Sequence, residues 1–399
     1  MDPNYFQMQH FITESNRNYR EVIDIAAMQT SNSMNKVKLT GLIPDETGVE
    51  KKGDKSVGVG HQYCGNVGKT ANSQVAVMGC LSNGDFASMV DARLYLPKDW
   101  CADPDRCEKA GIPLQEREFE TKIDMAYEII LHQLELGTSF DYVGADGFYG
   151  NESALASKID RLGLLYMFDI KRNQTVYLEM PELGLPVRKN IRGRSPKLLK
   201  VNGQSIKVSE YLNDLDKEDW EEIKIRKGAK GTIRGLFHFR EVFIWNKQDN
   251  LVERRLLVIR KMKTKTGMEI KYSFTNATLV QYTLKALAYM QAQRFFIEHC
   301  IKEAKYILGM DQFQTRKWLA WYHQVALNIM TMCFMLKEKL FCFRDIPLLT
   351  ARDIKAWLCF CMAKEINEMD AIEMIINRHK RRQHDINSCY LKEYGNVSK

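Results

Sequence analysis

No Cys-x-x-Cys pair occurs among the ten cysteines of this 399-residue chain, and spacings such as Cys101 to Cys107 or Cys359 to Cys361 match no zinc-ligand pattern. Structural zinc is therefore not expected, and the cysteines read as reduced thiols in a cytoplasm. The first residues, Met1-Asp2-Pro3-Asn4, lack the basic-then-apolar signature of an export signal. The longest apolar run, Val325 to Leu336, contains Asn328 and is too short to cross a bilayer, so no membrane partner is expected. There is no internal repeat, no low-complexity tract, and no helix-turn-helix near the start. What the chain does have is 45% hydrophobic residues, enough for a large core and two or three domains.

Charge is unevenly spread. The chain carries +8, with 58 Lys and Arg against 50 Asp and Glu. Lys171 to Thr275 alone holds 24 basic against 13 acidic residues, a surplus of 11, which leaves −3 on everything else. Such an asymmetry points to a polyanionic partner.

The stretch Phe140 to Asn151 organises the chain. Tyr142, Val143 and Ala145 predict a buried strand that stops at Asp146, with Gly147 and Gly150 permitting a tight turn. Asn151 is placed to cap a helix over Glu152 to Leu162, Gly163 to end it, and Leu165 to Asp169 to form the next strand. In open α/β sheets, ligands gather at the carboxyl ends of strands, which makes Asp146 a candidate metal ligand or base. An acid that merely opens a turn is the commoner reading of one such residue, so the other segments decide.

Asn4 to Ile25 predicts a helix, and Thr30 to Asn35 a linker. Lys38 to Ile43 is a strand that meets Pro44-Asp45-Glu46-Thr47-Gly48, with Pro44 expected at its end or at a bulge. Strands follow at Ser73 to Ser82 and Phe86 to Leu96 around an Asn83-Gly84-Asp85 turn, then a helix over Lys122 to Leu136 capped by Thr121 and closed by Gly137. The order is strand with Asp45, two strands, helix, strand with Asp146, helix, strand. That is the element order of an RNase H-like core, in which the first and fourth strands lie side by side and bring Asp45 and Asp146 together around a cation.

Lys171 to Thr275 breaks this rhythm with strands at Thr175 to Leu178, Thr232 to Trp245, Leu251 to Lys261 and Glu269 to Phe274, the later ones separated by Gln248-Asp249-Asn250 and by Thr264 to Gly267. Helices are expected over Val280 to Leu308, Phe313 to Lys337 and Thr350 to Met369, the last opened by a Thr350–Asp353 capping box. Arg378 to Arg382 reads as a solvated basic tail. On the helix after the insertion, Arg294, Glu298 and Lys305 fall within about 40° of one another around the axis and line one face. An ion-paired surface stripe would look the same. His61, His238 and His323 are expected to be ordinary packed histidines, and Trp318, Trp321 and Tyr322 a core stripe.

Together these segments resemble bacterial insertion-sequence transposases of the DDE type, the cut-and-paste group with a β-strand insertion before the final Glu. The resemblance rests on the Arg-x3-Glu-x6-Lys run at Arg294, Glu298 and Lys305, and on Asp45-Glu46-Thr47-Gly48 followed by Lys51-Lys52-Gly53. It also rests on Ser56 to Val59 with Gln62 to Gly65, on Arg93-Leu94-Tyr95-Leu96-Pro97 and on Ala145 to Gly150, and it spans roughly Phe6 to Asp353. Two departures stand out. Gln291 occupies the place of a Tyr three residues before the Arg, and only 37 residues precede the first catalytic strand. The short start reads either as truncation or as end recognition lying elsewhere.

The resemblance implies an α/β, RNase H-like mixed-sheet core. Its parts would be a helical segment at 1–37, the core at 38–170, a basic β-rich insertion at 171–275, the core helix with the third acid at 276–310 and a helical region at 311–399. It implies that Asp45, Asp146 and Glu298 hold two Mg²⁺ ions, with Mn²⁺ able to substitute, and that Arg294 and Lys305 contact DNA phosphates. By family match Asp45 is the ligand; by spacing alone Glu46 would serve as well. The implied reaction is end cleavage and strand transfer on double-stranded DNA by a homodimer in a synaptic complex, in a bacterial cytoplasm near the nucleoid. A catalytically impaired end-binding repressor and a two-metal nuclease are the rival readings.

Overall fold

The computed structural model of the chain describes residues 5–34, 38–185, 199–228, 231–247, 249–264, 267–362 and 368–395. Gln248 of one expected turn, 265–266 of the next and 363–367 of the expected Thr350–Met369 helix lie outside the described residues. The chain divides into two compact units, Met1–Phe140 with Phe295–Lys399, and Asp141–Arg294.

The first unit opens with α1 (Tyr5–Thr13) and α2 (Tyr19–Ser33) in place of one helix. The division falls at Asn18, whose side-chain oxygen accepts from the amides of Arg20 and Glu21 at 3.1 and 3.3 Å and so starts a new helix. Thr30 and Ser31, expected in a linker, are buried within α2. Strands β1 (Gly41–Glu50), β2 (Gly60–Cys64), β3 (Lys69–Ser82) and β4 (Ala87–Leu94) then form an antiparallel sheet with β3 at its centre. The β3–β4 turn forms as expected: Asn83 Oδ1 accepts from the amides of Asp85 and Phe86, and Gly84 takes φ +83°.

Pro44 does not end β1 but sits mid-ladder opposite Gly79. An antiparallel neighbour uses the N–H of alternate residues only, so a residue without one can be carried through. Short helices α3 (Lys98–Cys101) and α4 (Pro104–Ala110) lead to α5 (Lys122–Glu135), capped by Thr121 as expected. Helix α5 packs closely on one face of the sheet: a Cβ added to Gly79 would meet Ile129 Cγ2 at 2.7 Å.

The second unit starts with β5 (Tyr142–Ala145), α6 (Gly147–Gly150), α7 (Ser153–Arg161) and β6 (Tyr166–Ile170), with β5 and β6 parallel. The expected tight turn is a one-turn helix, and Gly163, at φ +71°, closes α7. Short strands β7 (Thr175–Tyr177), β8 (Glu182–Gly184), β9 (Lys200–Asn202) and β10 (Ser205–Lys207) precede the one-turn helix α8 (Val208–Tyr211). The long strands β11 (Glu221–Gly228), β12 (Gly231–Asn246), β13 (Leu251–Thr264) and β14 (Gly267–Thr275) complete the unit's sheet. Along it the order is β10-β7-β12-β13-β14-β6-β5, with β11 also on β12, while β8 and β9 pair separately.

The helix expected over Val280 to Leu308 is instead α9 (Leu284–Ala292) and α10 (Arg294–Tyr306). Gln293 breaks it, because its side-chain amide takes the Tyr289 carbonyl at 3.0 Å and its backbone N–H turns to Met290. Helices α11 (Trp318–Phe341), α12 (Ala351–Met362) and α13 (Glu368–Gly395) follow. Among the described residues α11 alone is long and apolar enough to cross a membrane, and 67% of its most apolar window is buried in the protein. Trp318, Trp321 and Tyr322 lie in that core as expected.

The basic run Arg378 to Arg382 is not merely solvated. Asp353, 1% exposed, forms the expected capping box with Thr350 and also pairs with Arg378, with His379 at 2.9 Å and with Arg382 at 3.9 Å. A carboxylate buried by helix packing draws in cations from the nearest helix.

Candidate active site

Strand alternation separates the two adjacent acids of β1. Asp45 lies opposite Met78, on the sheet face that carries Ile43, Met78 and Cys80. That face packs in one core with Ile297, Cys300, Ile301 and Ala304 of α10. Glu46 points the other way, with Pro44 and Gly79, toward α5, where Lys122 donates to its carboxylate at 2.6 Å. The half-buried Asp45 accepts the Glu46 amide at 2.9 Å. The Cys80 thiol is pushed well up, first by its hydrogen bond to Cys300, then by burial and by the charge of Asp45. Asp45 therefore lies near the point where β3 meets α10.

Glu298 is on α10 two residues before Cys300 and is exposed, whereas Ile297 and Ile301 beside it are buried. Lys305, on the same helix, is 5% exposed, and its ammonium donates to the Gly48 carbonyl of β1 at 2.8 Å. Lys51, from the Lys-Lys-Gly run just after β1, does the same from the other side, donating to Phe313 O at 2.7 Å. Burial lowers the pKa of both lysines, partly offset by Asp311. The two ammonium groups brace α10 and the segment after it against the end of β1.

In the second unit, Asp146 ends β5 and caps α6: its Oδ1 accepts the amides of Phe148 and Tyr149 at 2.9 and 3.4 Å. Asn151, expected to cap the next helix, instead accepts the Lys171 amide at 3.2 Å, and Glu152, which precedes α7, makes no side-chain capping bond. Arg294 pairs with Asp169 of β6 at 3.5 Å. That partner carries no spacing signal, since Asp169 reads in sequence only as the end of a strand.

The expected site residues thus fall into two sets: Asp45, Glu298 and Lys305 in the first unit, and Asp146 and Arg294 in the second. All three acids are hard oxygen donors, the chemistry that suits Mg²⁺. Among the described residues no group of three His, Cys, Asp or Glu side chains is close enough to hold a metal ion. Of the three histidines, His238 and His323 are buried and bonded, His238 to Tyr211 and Asp219, His323 to the carbonyls of Ile12 and Arg17. His61 is exposed on the edge strand β2 and is not a packed histidine.

The fold is mixed α/β with a helical C-terminal region, consistent with an RNase H-like core. A family model described as DDE superfamily endonuclease matches residues 1–232, more than half of the chain, and the chain belongs to that superfamily. Enzymes of this superfamily generally use divalent metals. The match includes Asp45 and Asp146 and ends within β12, ahead of Glu298. The chain is also similar to a probable transposase for insertion sequence element IS701 from Microchaete diplosiphon, 33% identical over 138 residues. That likeness covers 34% of this chain, and the chain spans about a third of that relative's length, 33%.

Proposed function

We propose that this protein is a DNA transposase that cleaves phosphodiester bonds at the ends of an insertion sequence and transfers the freed strand into target DNA. Asp45, Asp146 and Glu298 are its catalytic acids and would hold two Mg²⁺ ions, with Mn²⁺ able to substitute. When bound, such ions activate the attacking water or 3′-hydroxyl and stabilise the leaving oxygen. The observation that carries this reading is the placement of Asp45 on the face of β1 that α10 covers, while Glu46 is turned away and neutralised by Lys122.

Arg294 contacts phosphate next to the scissile bond, where a planar guanidinium can grip two oxygens at once. Lys305 has its ammonium on the Gly48 carbonyl and acts first as a brace between α10 and β1. The basic strands of the second unit hold the duplex through its backbone, a contact that positions without reading sequence. The working form is a homodimer joining two inverted-repeat ends.

A strand-transfer assay tests the proposal. The purified protein is incubated in Mg²⁺ with a duplex carrying the inverted repeat that flanks its gene and with a supercoiled plasmid. Joined end-plasmid product supports a transposase, whereas cutting that never yields joined product would reduce the protein to a nuclease.

A further inference from the structure

A buried chain of hydrogen bonds leads to Arg294 from the residue at which this sequence departs from the family signature. Gln291, 3% exposed on α9, donates through Nε2 to Ser273 Oγ at 2.8 Å and to the Val258 carbonyl at 3.3 Å. Ser273, fully buried on β14, donates its hydroxyl to Asp169 Oδ1 at 2.6 Å. The other oxygen of Asp169 faces Arg294 at 3.5 Å. Ser273 and Asp169 are register partners in the β14–β6 ladder, so the backbone fixes the central bond.

The chain has one direction. A serine hydroxyl has a single proton and can still accept, so giving that proton to Asp169 leaves an oxygen lone pair for the Gln291 amide. Gln291 Oε1 has no hydrogen-bond partner among the described residues. An apolar side chain at 291 would fill the space without that penalty, so packing alone does not account for the amide. The Asp169 carboxyl is raised by burial, against the pull of Ser273, Lys271, Arg294 and Arg260. A long, flexible Arg side chain gains most from a fixed anion of this kind, because its fork must be aimed before it can grip.

We propose that Asp169, Ser273 and Gln291 are positioning residues that aim the Arg294 guanidinium. The proposal deepens the transposase reading and rests on its assignment of Arg294 to phosphate. Asp169→Asn tests it in the full-length protein, since it keeps the shape and the Ser273 bond while removing the charge that faces Arg294.

Single-turnover cleavage of a pre-bound duplex carrying the flanking inverted repeat is measured in saturating Mg²⁺. Asp169→Asn is expected to slow cleavage by roughly 10- to 100-fold with duplex affinity and melting temperature little changed, as for a reacting group displaced by about an ångström. Arg294→Ala is expected to be slower still, and adding Asp169→Asn to it should cost nothing more. A full additional loss in the Arg294→Ala background, or a wild-type rate for Asp169→Asn alone, overturns the proposal. A wild-type rate for Arg294→Ala overturns the phosphate assignment itself, so the two failures are distinct. If Asp169→Asn does not fold, Gln291→Met, which leaves the Ser273–Asp169 bond in place, takes over. It should slow cleavage several-fold in wild type and not at all in Arg294→Ala, and an unchanged rate in wild type overturns the proposal.

Discussion

The two units show charge put to different uses. In the first, several charged groups turn inward. Asp91, 0% exposed, is held by Arg20 at 2.7 Å, Arg93 at 2.6 Å and His132 at 3.1 Å, which ties α2, β4 and α5 together. Lys51 and Lys305 likewise end on backbone carbonyls. In the second unit, Lys224, Lys227, Arg240 and Lys263 stand exposed on the long strands. The buried Arg255 and Arg260 are matched by Glu253 and Glu269. These exposed basic side chains are available to a polyanion, while in the first unit buried charge fixes how α2, β4, α5, β1 and α10 pack. Charge count alone does not separate these uses; burial does.

The comparison breaks most visibly at the acids. Asp146→Asn and Glu298→Gln should each lower end cleavage by on the order of 10³-fold or more while DNA binding and melting temperature hold, since on the proposed mechanism losing an ion ligand removes the activated nucleophile. Cleavage of labelled end duplex beside thermal melts would show it.

Next in size is the inward charge of the first unit. Asp91→Ala strands two arginines and should cost about 3–5 kcal/mol in urea denaturation, as for one partner of a buried pair. Burial pushes the Asp91 carboxyl up, but Arg93, the His132 bond and Arg20 outweigh it and hold it well below the usual range. The sign follows: a depressed carboxylate stabilises above its unfolded pKa of about 3.9, and this contribution is lost as pH falls below that value. The Asp91→Ala deficit should shrink in acid, and a deficit independent of pH from 7 to 3 would contradict the network.

Lys305→Met sharpens the contrast from within the proposed site. It leaves the Gly48 carbonyl without its donor and should cost about 1–3 kcal/mol of stability. If cleavage instead falls with melting unchanged, Lys305 grips DNA and the brace is misassigned. Smaller again is the outward charge: Lys224→Ala, Lys227→Ala and Lys263→Ala should each weaken duplex binding evenly across sequences. For every phosphate that is no longer neutralised, the salt slope should fall by about 0.9. An unchanged slope in the triple variant would place the DNA elsewhere.

Much of the fold is legible in the sequence because local chemistry dictates it. The Asn83-Gly84-Asp85 turn, the Thr121 and Thr350–Asp353 caps, the close of α7 at Gly163 and the long strands of the insertion all follow from residues acting on their own neighbours. The misses share a cause, which is competition between side chain and backbone or across long range. Asn18 and Gln293 split helices by taking backbone partners that a periodic pattern does not reveal. Pro44 stays in β1 because the ladder tolerates it. Of the candidate site, spacing indicates Asp45 or Glu46, Asp146 and Glu298, but not which way β1 faces, since that depends on α5 and α10 arriving from far along the chain. The Arg294–Asp169 pair is invisible in the sequence for the same reason.

The orientation of β1 is the central claim, and one measurement tests it directly: single-turnover end cleavage in Mg²⁺ by Asp45→Asn beside Glu46→Gln. The Asp45→Asn protein should be inactive with its fold intact, and the Glu46→Gln protein, having lost only its bond to Lys122 on the α5 face, should cut at close to the wild-type rate. An active Asp45→Asn with an inactive but folded Glu46→Gln would contradict the account.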